Sequence, residues 1–240
     1  MRFLITICAR GGSKGIPKKN IKLLNEKPLI VYSIDIAKQF ADKFKNAYIA
    51  ISTDSDEIKQ VASNYGIKSD YIRPSELAGD KAGKIDTIAD VLRYTEKINN
   101  VRYDYVLDLD VTSPLRNIVD LKNAFEILEK NENAVNLFSV SRANRNPYFN
   151  MVEQKENGFY AQVKKTDGDI FTRQATPVVY DLNASFYFYK RVFFDLAYKG
   201  AITDKSLIYE VPHLCFDLDH PIDFEVMNFL MKNKRLDFEL

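Results

Sequence analysis

The sequence predicts an α/β fold, a mainly parallel sheet with helices on both faces, interrupted once by a small antiparallel excursion. Three observations carry that expectation. Apolar strand-like runs alternate with amphipathic helical patterns over roughly the first 140 residues, the alternation breaks at about residue 141, and a glycine- and cation-rich loop follows the first apolar run. A chain of 240 residues accommodates one large domain with an insertion and buries a sizeable core without disulfide staples.

The first strand is expected over residues 2–9, where Phe3 to Ala9 is apolar enough to be buried. Pro17 and the polar stretch after it push the first helix back to about Pro28-Leu29, so the intervening loop is long and wraps a ligand rather than offering a helix tip. Further strands are expected near 47–53, 67–72, 103–110 and 134–140, with helices near 28–44, 54–65, 84–98 and 117–131 between them. Residues 141–172 are polar, with turn signals at Asn146-Pro147, Asn157-Gly158 and Asp167-Gly168. The short runs Phe149 to Val152 and Phe159 to Val163 alternate as hairpin strands do. Asn183 to Lys190 then reads as an aromatic strand, Val192 to Tyr198 as a short helix, Leu207 to Phe216 as an extended segment and Asp223 to Lys232 as a terminal helix. This divides the chain into a core of residues 1–140 and 191–240 and an excursion of residues 141–190.

The loop from Ile7 to Asn20 reads as a phosphate cradle. Gly11, Gly12 and Gly15 free the backbone so that consecutive N–H groups converge on an anion. Arg10, Lys14, Lys18 and Lys19 supply charge, and Ser13 lies in the same turn. A P-loop is excluded because Lys14 precedes Gly15 and Ile16-Pro17 follow, and the dinucleotide spacing G-x-G-x-x-G is absent. In parallel sheets ligands sit beyond the C-terminal strand ends. The loop, Thr53-Asp54 and Asp108 to Pro114 all fall there, which favours one shared site for a polyphosphate.

Asp217 and Asp219 alternate on an extended segment, so both carboxylates project on one side, a geometry suited to holding Mg²⁺ with phosphate oxygens. The competing reading is a helix N-terminal cluster, in which Asp219, Asp223 and Glu225 favour the dipole of the last helix. Asp108 and Asp110 form a second pair at a central strand end. Asp110 can add a metal ligand, contact the ribose or base of a nucleotide, or bond nearby backbone, while Asp108 reads as a structural acid. A nucleophilic hydrolase has little support, since His213 and His220 lie far from Ser13 and Ser113.

These residues resemble the acylneuraminate cytidylyltransferases, which activate nonulosonic acids with CTP. The opening Ala9-Arg10-Gly11-Gly12-Ser13-Lys14-Gly15 with Lys19-Asn20 is similar to that family's first motif. Thr112-Ser-Pro-Leu-Arg116, Arg173-Gln174 with Pro177 and Asn183, and Asp217-Leu-Asp219 are similar to its later ones. The resemblance implies a three-layer nucleotidyltransferase (Rossmann-like) sheet, with CTP and a nine-carbon 2-keto sugar acid as substrates and Mg²⁺ as cofactor. It implies that Arg10, Lys14 and Lys19 hold the triphosphate together with Gly11, Gly12 and Ser13. Asn20, Arg73, Asp110 and Thr112 would bind the nucleotide, and Asp217 with Asp219 the metal. Arg173, Gln174, Asn183 and Tyr187 would contact the sugar acid, so that Arg10, Lys19, Asp217 and Asp219 form the catalytic set. Asp110 departs from the uncharged residue usual in sialic-acid members. The run Arg145 to Asn150 and Tyr180 to Ser185 look more like the bacterial members acting on legionaminic acid, where Phe149 would supply an apolar wall or else a dimer core. CMP-Kdo synthesis and a non-catalytic CTP-binding module remain the alternatives.

Composition fits a small cytoplasmic enzyme. A net charge of +1 excludes a general nucleic-acid-binding surface. No segment approaches a membrane span, and with the first strand opening at residue 2 no signal peptide is expected. Cys8 and Cys215 lie in apolar runs and read as reduced core thiols. A hairpin carrying Tyr148, Phe149, Phe159 and Tyr160 cannot bury those rings alone, so a homodimer is expected.

Overall fold

The structure is a computed structural model that describes residues 1–12, 15–79, 82–165, 168 and 172–240. In chain order the strands are β1 (Phe3–Cys8), β2 (Leu23–Leu24), β3 (Lys27–Pro28), β4 (Ala47–Ser52), β5 (Tyr105–Leu109), β6 (Asn136–Arg142), β7 (Val152–Gln154), β8 (Tyr160–Gln162), β9 (Tyr180–Lys190) and β10 (Ser206–Glu210). The α-helices are α1 (Leu29–Lys43), α2 (Asp56–Asn64), α3 (Lys84–Asn99), α4 (Ile118–Lys130), α5 (Arg191–Asp195) and α6 (Pro221–Lys232). The sheet runs β10-β6-β9-β5-β1-β4. Every pairing is parallel except those of β9, which is antiparallel to both neighbours.

The strands sort their side chains by the two-residue period. Phe3, Ile5, Ile7, Leu107, Leu109, Phe186 and Phe188 face one side, where α1, α4 and α6 cover them. Leu4, Ala50, Val106, Tyr187 and Tyr189 face the other, against Ile85, Ile88, Val91 and Leu92 of α3. Each of these aliphatic side chains contributes about 1.5–3 kcal/mol by burial, which is what holds α3 across the sheet. The helices start where local chemistry satisfies their first N–H groups. The Ser55 hydroxyl accepts from Ile58 N–H in α2, Asn117 and Asp120 close a reciprocal box on α4, and Pro221 opens α6.

Two sequence expectations need correction. Residues 67–72 form no strand. They run along edge strand β4 with Tyr71 buried and Ile72 exposed, tied to it by Ser69 Oγ to Ile51 O and Arg73 N–H to Thr53 O rather than by a ladder. The excursion is shorter than 141–190, because β9 returns to the sheet at Tyr180 and pairs with β6 back to Arg142. Within the run Leu207 to Phe216, expected to be extended, the ladder itself is β10. The expected hairpin is present as β7 and β8, paired across Asn157-Gly158, but its first strand is Val152–Gln154 rather than Phe149 to Val152 because the chain turns at Phe149 and Asn150; Gly158 takes φ 82, a left-handed turn that glycine adopts at little cost. The Asp167 part of the third turn signal lies outside the described residues.

His213 closes the end of the chain onto α4. Its Nε2 is 2.9 Å from Asp120 Oδ2, its ring stacks on Phe238 at 3.5 Å, and Leu214 N–H donates to the Asp237 carboxylate. Burial works against protonation of His213, but the Asp120 carboxylate and the Leu214 carbonyl outweigh it and hold the pKa above the ordinary 6.5. A pKa raised by folding adds stability that is fully present below the unfolded value and is lost as pH climbs through the folded one. The urea midpoint is therefore expected to fall as pH rises above about 6.5, and to fall less in His213→Asn. Equal pH slopes in the two proteins would contradict the pairing.

Candidate active site

The C-terminal ends of β4, β1 and β5 and the loops that leave them enclose a cleft of about 450 Å³, lined among others by Arg10, Gly15, Lys19, Asn20, Arg73, Lys84, Asp110, Thr112 and Asp219. Eight of the expected site residues, all of these but Lys84, therefore meet in one place. The loop after β1 packs down through Ile16, which is 2% exposed, and turns through a short 3-10 helix at Lys19–Ile21 that the sequence pattern does not reveal. Asn20 Nδ2 donates to Arg10 O at 2.8 Å and so fixes the loop's two ends together. Gly11 N–H donates to Asp54 Oδ1 at 2.7 Å. Gly12 has open space around its Cα. Ser13 and Lys14 lie outside the described residues.

Gly15 has a steric reason. A Cβ there would stand 2.8 Å from Asp219 O, against backbone rather than a movable side chain. The loop is thereby pressed against the Asp217-Leu218-Asp219 segment, and Lys19 Nζ locks the contact by donating to Leu218 O at 2.6 Å.

That acidic segment crosses the strand ends as a strap. Ser141 Oγ donates to Cys215 O, Ser113 Oγ to Phe216 O, and Leu218 N–H to Thr112 O. Leu218 is fully buried, which leaves Asp217 half-buried and Asp219 exposed on the opposite side. The helix cap and the acidic pair separate cleanly. Asp223 Oδ2 accepts from Asp219 N–H at 3.0 Å and His220 N–H at 2.6 Å, so Asp223 caps α6 and the carboxylates of Asp217 and Asp219 are not spent on that task. Burial and the neighbouring Asp219 charge push the Asp217 carboxyl up. A half-buried carboxyl pushed up by burial and by a neighbouring acid suits a hard divalent cation, which takes oxygen ligands and relieves the repulsion. Among the described residues no three His, Cys, Asp or Glu side chains gather closely enough to hold a metal alone.

Arg73, far from being a solvated loop cation, is 6% exposed, with Nε bonded to Ser52 Oγ and an Nη to Ser52 O. Lys84 stands at the first position of α3, 3.0 Å from Asp108 Oδ2 and 2.9 Å from Asp110 Oδ2, over the Tyr187 ring. The Asp108 contact is an ion pair without hydrogen-bond alignment, and Asp108 Oδ1 accepts from Thr6 Oγ1 at 2.7 Å. Burial works against the Asp110 charge, but Lys84 and the Thr112 N–H and hydroxyl outweigh it and hold its carboxyl at about 2.

Beneath the cleft, Arg116 is buried and donates to Ser113 O, Ser185 O, Ser33 Oγ and Asp110 O at 2.6–3.0 Å. It ties the turn after β5 to α1 and to an irregularity in β9. There Phe138 pairs with Tyr187 but Val140 pairs with Leu182, and Ala184 takes φ 56 to let the extra residues loop out. Asn183 fills that loop. Its Oδ1 accepts from Ser139 Oγ and Ser185 N–H, and its Nδ2 donates to Ser141 Oγ. The buried Asn183 and the Tyr187 under Lys84 thus shape the floor, and neither lines the cleft.

Arg173 and Gln174 line a second cavity of about 340 Å³ with Arg142, Asn146 and Pro177, at the end of β6. Phe149 is half-buried in a turn and lines neither space. Sequence reasoning passes over Lys84. The signal was present, since a cation at a helix N-terminus opposes the dipole and needs a carboxylate nearby.

A family model described as cytidylyltransferase matches residues 4–235. The post-translational flagellin modification protein B of Campylobacter coli is 41% identical over 236 residues, covering 98% of this chain and 97% of that protein. A CMP-N,N'-diacetyllegionaminic acid synthase of Campylobacter jejuni subsp. jejuni serotype O:2 is 40% identical over 236 residues, with the same coverage of 98% and 97%. In three dimensions the chain matches a CMP:2-keto-3-deoxy-manno-octonic acid synthetase complexed with CTP at a TM-score of 0.67, covering 98% of this chain and 100% of that one. At 16% identity this is a likeness of fold.

Proposed function

Because the chain belongs to the cytidylyltransferase family, we propose that it joins CMP from CTP to the anomeric hydroxyl of a nonulosonic acid of legionaminic or sialic type and releases pyrophosphate. The observation that carries this reading is one cleft lined by Arg10 and Lys19 of the cationic loop on one side and by Asp219 of the acidic strap on the other, with Asp217 beside the cleft on the same strap rather than in its lining. The anomeric oxygen bonds to the α-phosphorus as the bond to the bridging β-phosphate oxygen breaks. Such a reaction asks the protein for positioning and charge neutralisation rather than covalent participation. Arg10, Lys19 and Arg73 offset the charge of the triphosphate and of the departing pyrophosphate.

Asp217 and Asp219 would hold Mg²⁺, whose remaining positions phosphate oxygens and water would fill and which would neutralise phosphate charge. The legionaminic acceptor is favoured by the full-length likeness to the Campylobacter jejuni synthase. A homodimer is supported by the exposed rings of the excursion, Phe159 at 75% and Tyr160 at 67%, beside Met151 and Val152. Among the described residues no helix is long and apolar enough to cross a membrane, and a CTP-consuming synthase would work in the cytoplasm.

The reading is tested by following pyrophosphate release from CTP with N,N'-diacetyllegionaminic, N-acetylneuraminic, pseudaminic and Kdo acids in turn, with Mg²⁺ and with a chelator. Release with a nonulosonic acid, abolished by the chelator, is expected. Turnover with Kdo alone, or CTP binding without turnover of any acid, would replace this reading.

A further inference from the structure

Helix α6 is apolar on two faces, and the core covers one of them. Phe224, Met227 and Met231 are buried, while Ile222 at 60%, Val226 at 43% and Phe229 at 60% exposure stand on the outward side. Their spacing of four and three residues places them in one row along the helix. Leu23 of β2, itself exposed, borders that row, because the turn between β2 and β3 is held against α6 by Asn25 N–H donating to Asn228 Oδ1 at 2.7 Å. A contiguous group of large apolar side chains in water marks a contact surface. It belongs to the core of the chain, not to the excursion whose rings support a homodimer.

Two charges say what covers the row. Glu225 and Lys232 are exposed and lie on the same flank of Phe229, about one turn before it and one turn after it. Among the described residues neither has an ion-pair partner. A second copy of α6 laid antiparallel about a two-fold axis at Phe229 keeps each flank on its own side. It sets Glu225 against the partner's Lys232 and Lys232 against the partner's Glu225, with the Phe229 rings at the axis. A parallel two-fold copy puts the charged flanks on opposite sides and forms neither pair. Antiparallel helices also oppose their dipoles, and an isologous contact requires just this self-complementarity of a single patch.

We propose that the outward face of α6 is a homotypic docking surface whose occupant is α6 of a second copy of this chain, packed antiparallel about Phe229 with Glu225 and Lys232 crossed between the copies. The apolar row supplies affinity, and the exposed pairs set direction and register. Because this surface is separate from the excursion, copies joined through both assemble beyond a dimer.

The test is sedimentation equilibrium over a dilution series on the wild-type chain, Phe229→Asp, Glu225→Lys and the charge exchange Glu225→Lys/Lys232→Glu. All three positions are exposed, so the variants keep their fold. The wild-type mass is expected to be an even multiple of 27.7 kDa and to fall by half in Phe229→Asp. Glu225→Lys is expected to weaken the association about tenfold, as two attractive pairs become repulsive, and the charge exchange to restore it. A monomeric wild-type chain, or a mass unchanged by Phe229→Asp, would overturn the surface. An association that Glu225→Lys does not weaken, or that the exchange leaves weak, would overturn the antiparallel pairing.

Discussion

Asp217→Asn and Asp219→Asn are each expected to lower turnover about 100-fold or more, because removing several kcal/mol of charge stabilisation from a phosphoryl transfer costs a factor of that size. Folding should survive, since both carboxylates project outward from the fully buried Leu218 and the capping of α6 falls to Asp223. Asp223→Ala supplies the converse. It is expected to lose about 0.5–2 kcal/mol of stability through the lost cap and to keep most of its turnover at temperatures where it stays folded. Kinetics and urea unfolding on the three variants decide between the two tasks. If the Asp217 and Asp219 variants kept near wild-type rates at limiting Mg²⁺ while Asp223→Ala lost them, the roles assigned along this strap would be reversed.

The largest loss of stability is expected at Arg116. Its guanidinium is 2% exposed and donates to the carbonyls of Asp110, Ser113 and Ser185 and to the Ser33 and Ser185 hydroxyls, so it joins α1, the turn after β5 and the looped-out stretch of β9. Burial lowers its pKa to about 10, which still leaves it charged at neutral pH. Arg116→Met fills similar length but strands several buried acceptors, and a cost of about 3–5 kcal/mol follows from leaving such a network unpaired. Urea unfolding at neutral pH measures it. A midpoint within error of wild type would mean that water replaces those bonds and that Arg116 does not organise the floor.

The parts of the site that could be read in the chain are those where composition alone departs from what a fold requires. Three glycines and four cations after a buried strand are more than strand packing selects, and an Asp-Leu-Asp alternation exposes its acids wherever the leucine is buried. The cleft accordingly gathers Arg10, Gly15, Lys19 and Asp219. Lys84 was not legible in the same way, because its meaning depends on Asp108 and Asp110, more than twenty residues later, and helical periodicity treats it as a surface position. Asn183 shows the reverse problem. A polar residue near a strand end reads as a ligand contact, yet its amide is bonded within the looped-out stretch of β9, which no periodicity announces. The expected strand at 67–72 failed because apolar pattern reports burial, while a strand also needs a ladder, and this segment has isolated bonds to β4 instead.

The central claim, that this cleft transfers a cytidylyl group to a sugar acid, is tested most directly by phosphorus NMR of CTP incubated with the protein, Mg²⁺ and N,N'-diacetyllegionaminic acid. The expected result is conversion of the three CTP resonances into one phosphodiester and one pyrophosphate resonance, the second twice the intensity of the first because its two phosphorus atoms are equivalent, dependent on the acid. Persistence of CTP, or its conversion to CDP and orthophosphate irrespective of the acid, would contradict it.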